Sequence, residues 1–151
     1  MEISTYKRIL VATDGSALSK KAVKHAIALA ASTGAALVAL KIVPRYPMSF
    51  FEGSATVTID SIKAAESKWA EEAGAQLDSI VAEAAAAGVK AKSTVVKSDL
   101  IAESIIAAAK KHKADIVVMA SHGRKGIKRI LLGSEALAVL THSEVPVLIL
   151  R

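Results

Sequence analysis

The sequence predicts a doubly wound α/β domain: a five-stranded parallel sheet with helices on both faces. Three observations carry this. Five short apolar or alternating runs are separated by four segments of helical periodicity, and parallel strands need crossovers of the kind helices supply. Two internal runs, 9–13 (Ile-Leu-Val-Ala-Thr) and 116–120 (Ile-Val-Val-Met-Ala), are almost continuously apolar, the pattern of strands buried on both faces. The 151 residues, 52% of them hydrophobic, suffice for one domain spanning 1–151 with its own core.

The first run ends at Asp14-Gly15-Ser16, a turn and helix-start cluster. From 16 to 33, Ala22, Val23, Ala26, Ile27 and Ala30 recur at helical spacing, Lys20, Lys21 and Lys24 take another face, and Gly34 ends the helix. A second strand, 36–43, is broken by Pro44 and Pro47, which open an irregular segment reaching residue 57. Residues 60–87 are rich in Ala, Glu and Lys, contain no Pro and stop at Gly88, which predicts a long helix or two stacked pieces. Alternation over 89–97 predicts an edge strand with one wetter face. Ser98-Asp99 is expected to cap a helix reaching His112, with Ile101, Ile105, Ile106 and Ala109 on its buried stripe. After the strand at 116–120 come a polar, glycine-bearing stretch, a helix over 134–141 and a last strand over 145–150.

Composition narrows the chemistry. The absence of cysteine excludes disulfides and thiolate metal sites. About 30 alanines against five aromatic residues predict an aliphatic core with closely packed helices, and leave little for stacking on nucleic-acid bases. The net charge of +6 arises from 20 basic and 14 acidic residues interleaved along the chain, so charge alone does not select a ligand. No apolar run reaches the length of a membrane span and the first residues carry no signal-like segment, which leads to the expectation of a cytoplasmic protein without membrane attachment.

If the two central strands are neighbours, the sheet order reverses between them, and ligands of such sheets bind beyond the carboxyl ends of the strands at that reversal. Thr13-Asp14 and 121–134 would then share one crevice. The stretch from Ala120 to Ser134 combines glycines that let backbone amides approach an anion, a helix start at Gly133-Ser134 and a basic run of Arg124, Lys125, Lys128 and Arg129. A phosphate group suits it, with Asp14 opposite to bind a ribose hydroxyl or help place a phosphate-bound metal ion. The same residues also suit a plain tight loop and an ordinary cap. G-x-x-x-x-G-K-[ST] and G-x-G-x-x-G are both absent, which disfavours P-loop hydrolases and dinucleotide enzymes. His25, His112, His122 and His142 have no metal-ligand spacing, and the Ser121-His122 pair lacks the elbow motif of a nucleophilic serine. His122 lies within the candidate phosphate loop. The segment 46–53 holds three of the five aromatics and reads as a lid, a partner surface or a plug over the core.

From residue 6 (Tyr-Lys-Arg-Ile-Leu-Val-Ala-Thr-Asp-Gly-Ser) to 145–150 (Val-Pro-Val-Leu-Ile-Leu), the chain resembles the universal stress proteins. Their nucleotide-binding branch carries G-x2-G-x9-G-[ST]; here the pattern is Ala120-x2-Gly123-x9-Gly133-Ser134, with alanine for the first glycine. The resemblance implies strand order 3-2-1-4-5, ATP or another adenine nucleotide at the ends of strands 1 and 4, and a homodimer paired through the last strand. By position, Ala12, Thr13 and Asp14 would line the adenosine pocket, with Ile42 near the adenine and Ala120 where the ribose approaches. Gly123, Gly133, Ser134 and Glu135 would cradle the phosphates, joined by His122 and Arg124. Mg²⁺ would be held mainly by the phosphates, and any hydrolysis would be slow, since no general base stands out. A nucleotide-free dimeric interaction protein of the same fold is the alternative, and a slow ATPase the third reading. An apolar final edge strand independently needs a cover, which a two-fold partner would provide. Nucleic acid is disfavoured as a partner, for want of aromatics and of a recognisable binding motif.

Overall fold

Residues 9–11 are completely buried, and they sit where a strand must be satisfied by neighbours on both sides. In the computed structural model, which describes residues 5–45, 58–123 and 132–151, they form β1 (Arg8–Ala12) at the centre of the sheet. The chain continues through α1 (Ala17–Thr33), β2 (Ala36–Val43), α2 (Ile59–Ala86), β3 (Ala91–Lys97), α3 (Ile101–Lys111), β4 (Ile116–Ala120), α4 (Ser134–His142) and β5 (Val147–Leu150). All pairings are parallel and the order is β3-β2-β1-β4-β5, as expected, with the reversal between β1 and β4.

Strand alternation sorts the core into two layers. Ile9, Val11, Leu37, Ala39 and Val118 meet Ala22, Val23, Ala26 and Ile27 of α1 and Leu77 and Ala84 of α2. Leu10, Val38, Leu40, Val117 and Met119 meet Ala102, Ile105 and Ala109 of α3 and Ala136 and Val139 of α4. Alanines on the helices bring them close to the sheet, so the buried positions of both layers fill with aliphatic side chains, and Tyr6 packs at the margin of one.

The helix ends follow local chemistry. Ser16 caps α1 by accepting from the Ser19 amide at 3.2 Å, and Gly34 ends it at φ 72°, while Ala35 N–H returns to the Ala30 carbonyl at 3.1 Å. α2 is one uninterrupted helix capped by Thr58, whose hydroxyl accepts from the Ser61 amide at 3.1 Å.

Four sequence expectations shift. β3 begins at Ala91 rather than Val89, because Val89 N–H is drawn back to the Ala84 carbonyl at 2.9 Å and closes α2 instead. α3 starts after Leu100 with no side-chain cap; Ser98 Oγ accepts from the Leu100 amide at 3.0 Å, and Asp99 accepts from the Arg45 amide at 3.0 Å, tying the exit of β2 to that of β3. Ile101 is 42% exposed, and Ala102 and Ala108 take its place on the buried stripe. β5 begins at Val147, since Ser143 Oγ bonds both the carbonyl and the amide of Val145 in a turn, and Pro146 has no N–H to add to a ladder.

Candidate functional site

The reversal between β1 and β4 leaves a crevice at the carboxyl ends of the two strands, and hydrogen bonds fix both its walls. On the β1 side, Thr13 N–H donates to the Leu40 carbonyl at 3.0 Å, which holds the residue in line with the sheet. Its buried hydroxyl lies 3.0 Å from Ser19 Oγ and accepts from the Gly15 amide at 3.3 Å. Asp14 Oδ1 accepts from the Ser16 amide at 2.9 Å, forming an Asx turn into α1. That turn aims the other carboxylate oxygen across the crevice: a Cβ built on Gly123 would collide with Asp14 Oδ2. The two polar segments are therefore in contact, and any side chain at 123 would have to displace the Asp14 carboxylate.

The β4 side turns on Ser121, which is 2% exposed. Its N–H donates to the Leu150 carbonyl at 2.7 Å and its carbonyl accepts from Gly133 N–H at 2.6 Å. Gly133 is the N-cap of α4, in extended conformation; a Cβ there would lie 2.9 Å from the Ser121 carbonyl oxygen and 3.5 Å from His122 Cα. The first bond of α4 runs from Leu137 N–H to the Gly133 carbonyl at 2.9 Å. The amides of Ser134, Glu135 and Ala136 ahead of it have no intrahelical acceptor, and Gly133 has no side chain to cap them. Such an end favours negative charge.

Of the predicted residues, Thr13, Asp14, Gly123, Gly133 and Ser134 converge here. Ala12 and Ile42 are half-buried and pack with the layer under α3 and α4. Ala120, two residues beyond Val118, falls by alternation on the α1 face, so its methyl is directed away from the face that Ala12 and Ile42 share. Glu135 is in the first turn of α4, but its carboxylate accepts from the Ala102 amide at 3.0 Å, serving the start of α3. His122 is half-buried and its Nδ1 is sealed from solvent with no hydrogen-bond partner among the described residues. Arg124 with the rest of the basic run, and the aromatic segment 46–53, lie outside the described residues.

Sequence reasoning missed Ser121 and Ser19 as the residues that set the two walls. Ser19 was discoverable as a serine on the buried stripe of a helix; Ser121 acts through its backbone and left no sequence signal. Away from the crevice, His112 follows α3, where burial and then the charges of Lys92 and Lys111 hold its pKa below the usual 6.5.

No three His, Asp or Glu side chains among the described residues are grouped to hold a metal ion, and no described helix is long and apolar enough to cross a membrane.

The model of the universal stress protein family matches residues 5–151. Universal stress protein MJ0531 of Methanocaldococcus jannaschii is 34% identical over 148 residues, a stretch covering 97% of this chain and 82% of that one. The solved structure of MJ0577 has a TM-score of 0.82 at 29% identity, covering 97% of this chain and 96% of that one. A universal stress protein solved in complex with cAMP has a TM-score of 0.70 at 27% identity, covering 97% and 98%.

Proposed function

Because the chain belongs to the universal stress protein family, we propose that its crevice binds an adenine nucleotide, ATP with Mg²⁺, and that the protein acts as a dimeric regulatory module in the cytoplasm. The observation that carries this is the meeting of Asp14 with Gly123 beside the uncapped amides of α4. A carboxylate for a sugar hydroxyl and a cradle for phosphates thus stand within one nucleotide's reach. The relative in complex with cAMP supports an adenine ligand.

In this reading Ala12, Thr13, Asp14 and Ile42 surround the adenosine and Ala120 backs the ribose. Gly123, Gly133 and Ser134 hold the phosphates, with His122 and Arg124 alongside. Glu135 contributes its backbone amide, since its carboxylate is engaged with Ala102. Mg²⁺ fits such a site as a phosphate-borne ion: Asp14 is the carboxylate on hand, and a dedicated cage needs more oxygen ligands. The ion supplies charge neutralisation when bound. Binding and orientation are the tasks of these residues, and the Asp14 carboxylate is tied to the Ser16 amide rather than set to activate water. The half-buried Val147, Leu148 and Ile149 on edge strand β5 support pairing with a second copy.

Isothermal titration of nucleotide-stripped protein with ATP in Mg²⁺ buffer tests the reading. Saturable binding near one nucleotide per subunit is expected, weakened at least tenfold by Gly133→Val. No heat at any of several temperatures, or unchanged affinity in a folded Gly133→Val variant, would refute it.

A further inference from the structure

The end of the sheet opposite the crevice carries its own concentration of charge. Arg8, Lys90 and Lys92 line an open hollow of about 250 Å³ at the amino-terminal ends of β1, β2 and β3, floored by Ala36, Leu37, Val38 and Ala91. Register puts them together: Arg8 pairs with Ala36, Lys90 accepts from the Leu37 amide at 2.9 Å, and Lys92 pairs with Val38. Alternation places Arg8 and Lys92 on the face of Leu10 and Val38, the face covered by α3. The end of α3 borders the hollow, since Arg8 Nη1 reaches the His112 carbonyl at 3.4 Å and Lys92 and Lys111 both act on the His112 ring.

Among the described residues, none of these side chains forms an ion pair with an acid. Both ion pairs found among the described residues, Lys97–Glu66 and Lys110–Glu144, leave them out. Asp115 accepts from the backbone amides of Lys7 and Arg8, at 2.6 and 2.9 Å, so its charge bears on Arg8 and leaves Lys90 and Lys92 as the less compensated pair. Glu83 belongs to α2, which packs on the opposite face of the sheet. A helix dipole accounts for Lys110 and Lys111 in the last turn of α3 and for the reach of Arg8 to the His112 carbonyl at its end, but not for Lys90 and Lys92, which stand just ahead of β3 and on it, where net dipoles are small.

We propose that this basic hollow, formed by Arg8, Lys90 and Lys92, is a second binding site, separate from the crevice, for a linear chain of phosphates. A protein partner fits it less well, because interfaces depend on exposed apolar or aromatic anchors. The large exposed apolar residues described, Ile59, Leu100, Ile101, Leu137 and Leu140, lie on α2, α3 and α4 or, for Leu100, just ahead of α3, none of them at the hollow. A bilayer surface fits less well too, because the charges ring a concavity instead of projecting from a convex face. Phosphate chains come from two sources, inorganic polyphosphate and a nucleic-acid backbone, and both present repeated anions to such a row without need of base stacking.

The test is fluorescence anisotropy of the full chain with three labelled probes of matched charge: inorganic polyphosphate, oligothymidylate and polyglutamate, each over a range of salt. At least one phosphate chain is expected to bind with affinity that falls steeply as salt rises. Lys90→Glu/Lys92→Glu should weaken it at least tenfold while leaving ATP titration unchanged, which separates this site from the crevice. In the unmodified protein, the bound chain should raise the pKa of His112, read from its ring proton by NMR, because phosphate charge offsets Lys92 and Lys111. Binding of polyphosphate alone supports the site with free polyphosphate as its ligand; binding of both supports a site that reads backbone charge. Absence of phosphate-chain binding at low salt, equal affinity for polyglutamate, or loss only in Lys128→Glu/Arg129→Glu would overturn the proposal.

Discussion

Replacing Gly123 by alanine probes the contact on which the crevice depends. The added Cβ meets Asp14 Oδ2 and, at 3.5 Å, Asp14 Cγ, and no other heavy atom of the described residues within 4 Å apart from the chain neighbours of Gly123. The strain therefore falls on one side chain, which must rotate and release the 2.9 Å bond from the Ser16 amide. A lost hydrogen bond of this kind costs about 0.5–1.5 kcal/mol, and an off-rotamer carboxylate a further 0.5–1.5 kcal/mol or so, giving roughly 1–3 kcal/mol in all. For a chain of this length each kcal/mol lowers Tm by about 2–4 °C. Thermal and urea unfolding of Gly123→Ala, Asp14→Ala and the double variant complete a cycle. With the carboxylate gone, the alanine at 123 has nothing to strike, so its cost should fall below about 0.5 kcal/mol in the Asp14→Ala background. Additive effects, with Gly123→Ala equally damaging in both backgrounds, would refute the contact as the reason for glycine.

Three other outcomes are expected. Glu135→Ala removes the acceptor of the Ala102 amide and should lower stability by about 1 kcal/mol, with Glu135→Gln retaining most of it, as measured by urea midpoints. Leu77→Ala, at a fully buried position of α2, should cost about 2–5 kcal/mol in the same assay. The third concerns pH: the His112 pKa is lowered in the folded chain by burial, then by Lys92 and Lys111, so the unfolded chain takes up this proton first. Its contribution is complete above the ordinary 6.5 and declines as pH falls through that value towards the folded pKa. Lys92→Ala should flatten the stability profile between about pH 7.5 and 5.5; an unchanged slope would count against the Lys92 contribution.

The sequence was most readable where one local rule acted alone. The limits of β2 were visible because Gly34 and Pro44 bracket a run that is apolar except at Lys41, and α1 because Ser16 and Gly34 are unambiguous caps. Errors arose where two rules competed for one group. Val89 has strand chemistry, yet its amide completes the end of α2. Ser98 and Asp99 have cap chemistry, yet tertiary contacts employ them otherwise, Asp99 with an amide 54 residues away. At the crevice, pattern found the residues of each wall but not the links between them. Asp14 and Gly123 touch only through the β1–β4 neighbour relation, and Ser121 works through a peptide group that every residue possesses. Glu135 shows the same limit, since its pull on α3 depends on where that helix begins.

Ser121 joins the head of α4 to the end of β5 through its backbone. Its N–H donates to Leu150, at the end of the outermost strand, and its carbonyl accepts from Gly133, at the head of α4. It behaves as a rigid link with a pin at each end. Both bonds are short, at 2.7 and 2.6 Å, and the residue is packed too tightly to swivel. A pull on the head of α4 therefore has a direct route to the rim of the sheet across a single residue.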